Sequence, residues 1–441
     1  MNIANSKKTK VTAKLTATSL ILFLGLILSA CSSNPSTTTS STPQNTGPVK
    51  AATSSYDSSA SGIPSFYTPP SPLPKEAPGT LIRYQEITGV PGIPSGATLY
   101  RILYHSETIY NVDIPESGYV VVPSSPAPHG GYPIMSWAHG TTGAAPICAP
   151  SLFNSDSGVY LTPGIASFLK AGFLVAATDY EGLGIPGGLH PYLLGESEGR
   201  AVLDAAKAAQ QLPGIETSDK LFIYGHSQGG HSALFAGQLA PSYAPNFKLM
   251  GVVAAAPATN LPTILAVAAN NSFQGVEGFV MTAAWTWSKT YKHLPASDLF
   301  TPLGLQIAAK YVGTVCTDTL DAKIANDPPS TIFLSSAASN PVVKKYSTEN
   351  NPGLVKTDSP MLIVQGTADT TVLPFLTDSF VQKQACPLGD TVDYLHVTGA
   401  THGTVVFDEV SGIVTWMQNI LSGQSAPNTC ALPNDLNTVQ G

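Results

Sequence analysis

The stretch Leu221-Phe-Ile-Tyr-Gly-His-Ser-Gln-Gly-Gly230 decides the fold. Four apolar residues predict a buried strand, and a helix-like segment begins at Ser227 and runs to residue 239. Between them lies Gly-His-Ser-Gln-Gly, which fits the pattern G-x-S-x-G. Three fixed positions are common by chance, and a glycine-rich turn would also contain them. The strand, sharp turn and helix around the pattern therefore carry the prediction that Ser227 is a nucleophile at a helix N-terminus.

Strand-like and helix-like segments alternate on both sides of this stretch. The predicted helices lie at 195–212, 227–239 and 404–421. The middle strands are continuous apolar runs, as expected when both faces of a parallel sheet are covered. The chain is therefore predicted to be an α/β protein with a mostly parallel central sheet and helices on both faces. The predicted strands lie at 81–87, 98–104, 118–122, 132–138, 173–178, 220–224, 249–255, 361–364 and 391–397.

One long segment interrupts this alternation. About a hundred residues separate the strand that ends near residue 256 from the strand at 361–364. A structureless loop of that length is uncommon in a compact domain. Helix-like patches at 261–269, 276–290 and 303–312 indicate an inserted, mainly helical cap at about 258–350.

A serine nucleophile needs a general base, and His402 is the predicted one. It lies in Gly399-Ala-Thr-His-Gly403, a loop between the last strand and the last helix. In the chain order Ser, acid, His, this loop is where the base has to lie to reach the serine. His396 lies inside a predicted strand and His293 lies in the predicted cap, so both are weaker candidates.

The predicted acid is Asp369, a few residues beyond the strand at 361–364. A carboxylate at this place can hold the imidazole tautomer and stabilise the imidazolium that forms during the reaction. The other aspartates of this region either precede the strand or lie within predicted elements; they are Asp358, Asp378 and Asp393.

An oxyanion hole needs two backbone N–H donors. We expect one from Gln228, the residue after the nucleophile, and the other from Thr141 in Ser136-Trp-Ala-His-Gly-Thr-Thr-Gly143, which follows a strand. His139 in the same loop is interpreted as a turn residue. Other polar residues after strand ends or inside helices are given structural, pocket-shaping or bracing roles; they are Asp179, Tyr180, His190 and His231.

Charged residues are sparse along the chain, and this composition argues against two classes of protein. Charged residues make up 11% of the 441 residues, whereas a typical globular protein has about 25%. With 43% hydrophobic residues, this composition excludes a charge-driven disordered protein. The net charge of -7 argues against a nucleic-acid binder, which needs a basic face to neutralise phosphates. No apolar run reaches the length of an ordinary membrane-spanning helix.

The N-terminus has the pattern of an export signal. Four lysines precede an apolar run that ends in Leu28-Ser-Ala-Cys31. These four residues resemble a bacterial lipobox, which implies removal of residues 1–30 and acylation of Cys31. The mature chain would carry 17 basic and 28 acidic residues, a net charge of about -11. We expect a protein of the bacterial cell envelope that is anchored to a membrane by lipid, with Ser32 weakly favouring an outer membrane.

Residues 31–78 are rich in Ser, Thr and Pro and predict a flexible tether before a catalytic domain at 79–441. Four further cysteines remain in an oxidising compartment, so two disulfides are expected. Three pairings are possible, and the spacing favours Cys148 with Cys316 and Cys386 with Cys430. The chain has no Cys-x-x-Cys motif or Cys/His cluster, which argues against a zinc site.

From about residue 80 to 422 the chain resembles an α/β-hydrolase of the secretory lipase family. The resemblance is carried by the segments around five motifs: His139-Gly-Thr-Thr-Gly143, Asp179-Tyr-Glu-Gly182, Gly225-His-Ser-Gln-Gly229, Gln365-Gly-Thr-Ala-Asp369 and Thr401-His-Gly403. It implies a capped hydrolase domain, hydrolysis of acyl esters or lipids, no cofactor, and the triad Ser227, Asp369 and His402. The lipobox and the predicted tether depart from the secreted fungal pattern.

Three alternatives to ester hydrolysis stay open at this point. The same fold could carry a serine peptidase or an acyltransferase, and a surface lipoprotein could keep a relic of the site without catalysis. The aromatic residues of the predicted cap could bury an acyl chain or could equally form a packed core. They are Phe279, Trp285, Trp287 and Tyr291.

Overall fold

The computed structural model describes residues 47–158, 160–269 and 275–431. The predicted signal peptide, Cys31 and the first part of the predicted tether lie outside the described residues. A single compact unit contains the described part of the chain.

Eleven strands of the described residues form one sheet. They are β1 (Val49–Lys50), β2 (Ser54–Ser55), β3 (Leu81–Thr88), β4 (Thr98–Glu107), β5 (Asp113–Val122), β6 (Tyr132–Ala138), β7 (Leu174–Thr178), β8 (Thr217–His226), β9 (Lys248–Ala255), β10 (Met361–Gly366) and β11 (Val392–Val397). Their order is β1-β3-β4-β5-β7-β6-β8-β9-β10-β11, and β2 also pairs with β3. From β7 to β11 all neighbours are parallel, whereas β3, β4, β5 and β7 pair antiparallel. The prediction of a mostly parallel sheet is confirmed.

Alternate residues of the central strands pack into two separate cores. In β8, Leu221 and Ile223 belong to one hydrophobic cluster, whereas Phe222 and Tyr224 belong to the other. All four are fully buried. Successive side chains of a strand point to opposite faces of the sheet. The continuous apolar run therefore indicates a sheet that is covered on both faces.

Helices cover both faces of the sheet. The helices are α1 (Ile165–Lys170), α2 (Gly195–Ala209), α3 (Gln228–Tyr243), α4 (Leu261–Ala269), α5 (Glu277–Thr290), α6 (Pro302–Tyr311), α7 (Thr317–Ile324), α8 (Pro329–Ile332), α9 (Pro341–Glu349), α10 (Pro374–Phe380), α11 (Cys386–Leu388), α12 (Val405–Asp408) and α13 (Val410–Leu421). Residues of α2, α3 and α10 join one cluster, and residues of α1, α12 and α13 join the other. The predicted layering of helix, sheet and helix is therefore confirmed.

The segment between β9 and β10 folds into helices α4 to α9. These helices pack around a third hydrophobic cluster, in which Met281, Trp287 and Phe300 are almost completely buried. The predicted helical patches coincide closely with α4, α5 and α6. Since Trp287 fills this core, at least one of the cap aromatics has the packing role that the sequence left open.

The prediction of a tether is wrong for residues 47–78. Strands β1 and β2 add to the edge of the sheet beside β3. Phe66 and Tyr67 enter the main core, and the hydroxyl of Tyr67 lies 2.8 Å from that of Ser151. The composition of this segment, rich in Ser and Pro, gave no sign of this packing. Two aromatic side chains and a few backbone hydrogen bonds suffice to fix an extended segment. The predicted helix at 404–421 is likewise two helices, α12 and α13, with Glu409 between them.

Both predicted disulfides are present. Cys148 pairs with Cys316 and Cys386 with Cys430, with Cα–Cα distances of 5.5 Å and 5.4 Å. The first disulfide joins the segment after β6 to the start of α7 in the cap, where Thr317 N–H also donates to the carbonyl of Thr142. Within 47–158, 160–269 and 275–431, no helix combines the length and apolarity that crossing a bilayer requires.

Candidate active site

Ser227 lies in a strained turn between β8 and α3. Its φ of 58° and ψ of -118° are rare for a residue with a side chain and cost about 1–3 kcal/mol. Two hydrogen bonds hold the turn: Ser227 N–H donates to the carbonyl of Ala255 at 3.0 Å, and Ala258 N–H donates to the carbonyl of Ser227 at 3.1 Å. The strain is therefore maintained by the neighbouring strand β9 and the residues that follow it.

Glycines on both sides of Ser227 permit this turn. A side-chain carbon on Gly225 would overlap the backbone of Gly229, and one on Gly229 would overlap the carbonyl of Ala138 and lie 2.7 Å from that of His139. Helix α3 can thus start in direct contact with the loop after β6. That contact brings the first amides of α3 beside the predicted oxyanion loop.

Asp369 and His402 meet at the carboxyl ends of β10 and β11. Nδ1 of His402 lies 2.8 Å from Oδ2 of Asp369, a residue that is 3% exposed. Since a carboxylate accepts, Nδ1 of the ring donates, which leaves Nε2 of a neutral ring as a proton acceptor. The ring thus has the tautomer that a general base requires.

The carboxylate of Asp369 is held in place by the turn that follows β10. Oδ1 accepts the backbone N–H groups of Thr371 and Val372 at 2.8 and 2.9 Å. Oδ2 accepts from Nε2 of the fully buried Gln365 at 3.2 Å as well as from His402. Gln365 has no role in the sequence predictions, although it belongs to the motif that ends at Asp369.

His226, the variable residue of the G-x-S-x-G pattern, joins the elbow to the loop of His402. Its Nε2 donates to the carbonyl of His402 at 2.8 Å, and the two ring centroids are 4.6 Å apart. Burial, with the neighbouring His402, lowers the pKa of His226 to about 3, so this ring is neutral near pH 7. Because His226 precedes Ser227 directly, its hydrogen bond fixes His402 close to Ser227. In the described residues no hydrogen bond joins the Ser227 hydroxyl to His402, and such bonds commonly tighten only when substrate binds.

The rival histidines lie elsewhere. His396 on β11 is 3.0 Å from Asp378 on α10, which also accepts a hydrogen bond from Tyr394. His293 is exposed in the cap. Among the three histidines considered, the structure brings only His402 together with the predicted acid and the serine turn.

The two predicted oxyanion donors lie on adjoining segments. Gln228 is the first residue of α3. The backbone N–H of His231 donates to the carbonyl of Ser227, and this is the first hydrogen bond of the helix. The amide of Gln228 thus precedes the hydrogen-bonded part of the helix and is available to a ligand. Gly140, next to Thr141, approaches the elbow so closely that a side-chain carbon there would lie 3.3 Å from Nδ1 of His226.

A buried carboxylate, Glu198 of α2, lies behind the start of α3. It accepts hydrogen bonds from the side chains of Gln228 at 2.7 Å, Ser232 at 2.7 Å and His231 at 3.0 Å. Burial raises its pKa, but hydrogen bonds and charge from His190 and His231 outweigh that effect and lower the pKa to about 2. Glu198 is therefore ionised. None of the sequence patterns assigned it a role.

Buried polar groups also brace the loop after β6. Nδ1 of His139 donates to the carbonyl of Gly140 at 2.6 Å, and the hydroxyl of Tyr180 donates to the carbonyl of His139 at 2.9 Å. Burial lowers the pKa of His139 to about 4. Asp179 accepts from the Ser117 hydroxyl at 2.6 Å and the Ser151 amide at 2.9 Å, which ties the end of β7 to β5 and to the segment after the loop. These contacts support the structural roles predicted for His139, Asp179 and Tyr180.

The chain matches the family model described as Secretory lipase over residues 160–429. It is 23% identical over 393 residues to Lipase A of Arthroderma benhamiae, covering 83% of this chain and 80% of that protein. It is 28% identical over 210 residues to a Mycobacterium tuberculosis protein described as a probable inactive lipase, covering 44% of this chain and 45% of that protein, so the chain spans less than half of that relative.

The fold of a solved lipase is also similar. Candida antarctica lipase A in its closed state superimposes with a TM-score of 0.69 and 19% identity, covering 84% of this chain and 88% of that one. At this identity the likeness shows the fold, which is that of the α/β-hydrolases. Since the family model spans more than half of the chain, including the elbow at Ser227 and the loops of Asp369 and His402, the chain belongs to the secretory lipase family.

Proposed function

We propose that this protein is a serine carboxylic ester hydrolase, a lipase or esterase, with Ser227, Asp369 and His402 as its triad. The observation that carries the proposal is the 2.8 Å hydrogen bond from His402 to the buried Asp369, formed beside the strained turn of Ser227. The order Ser, acid, His along the chain and the position of all three after strands of one sheet agree with it. Membership in the secretory lipase family supports the substrate class.

The proposed reaction is acyl transfer through a covalent intermediate. Nε2 of His402 takes the hydroxyl proton while Oγ of Ser227 forms a bond to the ester carbonyl carbon. Collapse of the tetrahedral intermediate breaks the bond to the alcohol oxygen, which receives the proton from His402. Water then attacks the acyl-enzyme, with His402 again as base, and releases the acid and the free serine. Asp369 keeps its charge throughout and stabilises the imidazolium.

The amides of Gln228 and Thr141 are the proposed donors to the oxyanion. Both belong to backbone that is fixed by packing, since α3 begins directly against the loop after β6. Fixed donors stabilise the negative charge of the intermediate without reorganising during the reaction.

The structure constrains the acyl chain length of the substrate less than its ester group. An apolar cavity in the cap is lined by Trp287, Leu299 and Phe333 among others, but its volume is about 40 Å³. A cavity of that size holds a few water molecules at most and is too small for a long acyl chain. This cavity therefore gives no basis for preferring long acyl chains over short ones.

Hydrolysis of p-nitrophenyl esters of graded chain length tests the proposal. We expect the wild-type protein to release p-nitrophenol, with matched p-nitroanilides cleaved far more slowly. Preferential cleavage of the anilides would favour a peptidase, and faster turnover on adding an alcohol, with ester as the product, would favour an acyltransferase. A well-folded protein with no activity on any of these substrates would support the relic lipoprotein.

We also propose that residues 1–30 are removed and that Cys31 carries a lipid anchor for a domain that begins near residue 47. The support is the lipobox-like Leu28–Cys31 and the folding of β1 onto the sheet at Val49. Expressed in a bacterial host, the wild-type chain should fractionate with membranes, whereas Cys31→Ser should be released from them. Equal membrane association of both proteins would contradict lipidation at this cysteine.

A further inference from the structure

The side chain of Thr141 is hydrogen-bonded to a buried tyrosine. Its Oγ1 lies 2.7 Å from the hydroxyl oxygen of Tyr192, a residue that is 3% exposed. Tyr192 is fixed in turn by Nε1 of Trp287 on α5, which donates to its carbonyl at 2.8 Å, and by its own N–H, which donates to the carbonyl of His190 at 2.9 Å. A cap helix and the oxyanion loop are thus joined through one residue.

The direction of this hydrogen bond follows from counting donors and acceptors. Among the described residues, the Tyr192 hydroxyl has only Thr141 as a partner. A tyrosine hydroxyl has one proton, and leaving that proton unpaired in a buried position is unfavourable. Burial raises the pKa of Tyr192, so the proton stays on it at neutral pH. Tyr192 therefore donates to Thr141, which leaves the proton of the Thr141 hydroxyl free for another acceptor.

We propose that the Thr141 hydroxyl, oriented by Tyr192, is a third donor to the oxyanion beside the amides of Gln228 and Thr141. This inference rests on the proposed ester hydrolysis. Thr141 lies beside Gly140, where an added side-chain carbon would lie 3.3 Å from Nδ1 and 3.5 Å from the carbonyl oxygen of His226, the residue that precedes the nucleophile. A hydroxyl that accepts from Tyr192 and donates to the intermediate is polarised in the direction that favours negative charge on the carbonyl oxygen. In this scheme Thr141 touches the reacting oxygen, and Tyr192 is a positioning residue that acts through it.

Four variants assayed on one p-nitrophenyl ester test this role. Thr141→Val keeps the side-chain shape and the backbone amide but removes the hydroxyl, and we expect kcat to fall roughly 10²-fold with KM changed less than about threefold. Thr141→Ser should recover most of the loss. Tyr192→Phe should lower kcat about tenfold, and the double variant Thr141→Val/Tyr192→Phe should be no slower than Thr141→Val alone, because both changes remove one interaction.

Inhibition by an alkylboronic acid separates this role from a structural one. Because the boronate adduct of Ser227 resembles the tetrahedral intermediate, its Ki should rise with Thr141→Val by about the factor lost from kcat/KM. Thermal unfolding of each variant identifies any that is merely misfolded. The double variant also lacks the Tyr192 hydroxyl, which Thr141→Val alone would leave without its partner. Wild-type kcat and Ki in the double variant would overturn this inference alone, whereas absence of ester hydrolysis by the wild-type protein would overturn it together with the proposed function.

Discussion

Replacing Ser227 with alanine is expected to lower kcat for ester hydrolysis by roughly 10⁶-fold, to the level that residual binding and oxyanion donors can sustain. The reason is that no acyl-enzyme can form without Oγ, while the rest of the site is unchanged. The free energy of unfolding should change by less than about 0.5 kcal/mol. Alanine must adopt the same positive φ as serine, and the hydroxyl makes no hydrogen bond within the described residues.

Ser242→Ala is the matched control for this prediction. Ser242 lies near the other end of α3, is exposed, and donates its hydroxyl only to the carbonyl of Leu239 at 3.1 Å. It should keep the wild-type rate. A fluorophosphonate probe should add one mass label to the wild-type protein and to Ser242→Ala but none to Ser227→Ala. Wild-type hydrolysis by purified Ser227→Ala would show that another group is the nucleophile.

The sheet and the loops of the candidate site could be predicted from the sequence for a physical reason. Central strands that are covered on both faces are nearly continuous apolar runs, and such runs made β6 to β10 predictable. All nine predicted strands are present, with ends shifted by a few residues. Parallel strands also end at one edge of the sheet, so the acid and the base are expected in the loops after strand ends that contain Asp369 and His402.

Glu198 could not be predicted in the same way, because its burial depends on how two helices meet. In sequence it lies in Gly195-Glu-Ser-Glu-Gly199, which is typical of a solvated helix start. In the structure, a side-chain carbon on Gly195 would overlap the ring of Phe235, and one on Gly199 would lie 3.0 Å from the amide of Ala236. These glycines let α2 contact α3 closely, and the contact encloses Glu198. In the sequence, the signal for this close helix contact is a pair of glycines four residues apart beside an acidic residue.

His226 shows a second limit. The G-x-S-x-G pattern leaves its position free, so no residue type there has a predictable role. Its hydrogen bond to the carbonyl of His402 arises only when the loop after β11 folds over the elbow. Contacts between distant loops of this kind follow from the assembled sheet and not from any local pattern.

Glu198→Ala is expected to lower the free energy of unfolding by about 3–5 kcal/mol, since it removes one partner from a buried ionic network. Four donors would lose their acceptor: the backbone N–H of Leu193 and the side chains of Gln228, His231 and Ser232. Chemical denaturation at pH 7 measures the loss. A free energy of unfolding within 1 kcal/mol of the wild-type value would show that the network contributes little.

Glu198→Gln separates shape from charge in this network. In the wild-type protein the two ring nitrogens of His231 lie 3.0 Å from Glu198 and 2.8 Å from the carbonyl oxygen of Asn350. With glutamine, the new amide group can hydrogen-bond to Nδ1 of His231, while Ser232 can donate to the carbonyl of Gln228, which is already 2.9 Å away. Every group is then satisfied, and the cost should be only about 1 kcal/mol.

The pH dependence distinguishes these two replacements further. The pKa of Glu198 is about 2 in the folded protein and 4.5 ordinarily, so the unfolded chain binds more protons between these values. The stability that this carboxylate contributes is therefore complete above pH 4.5 and is lost as the pH falls toward 2. The difference in unfolding free energy between the wild-type protein and Glu198→Gln should shift in favour of the variant over that interval. A constant difference from pH 6 to pH 3 would mean that Glu198 is not held as a carboxylate by the histidines around it, and the network would then be one of neutral hydrogen bonds.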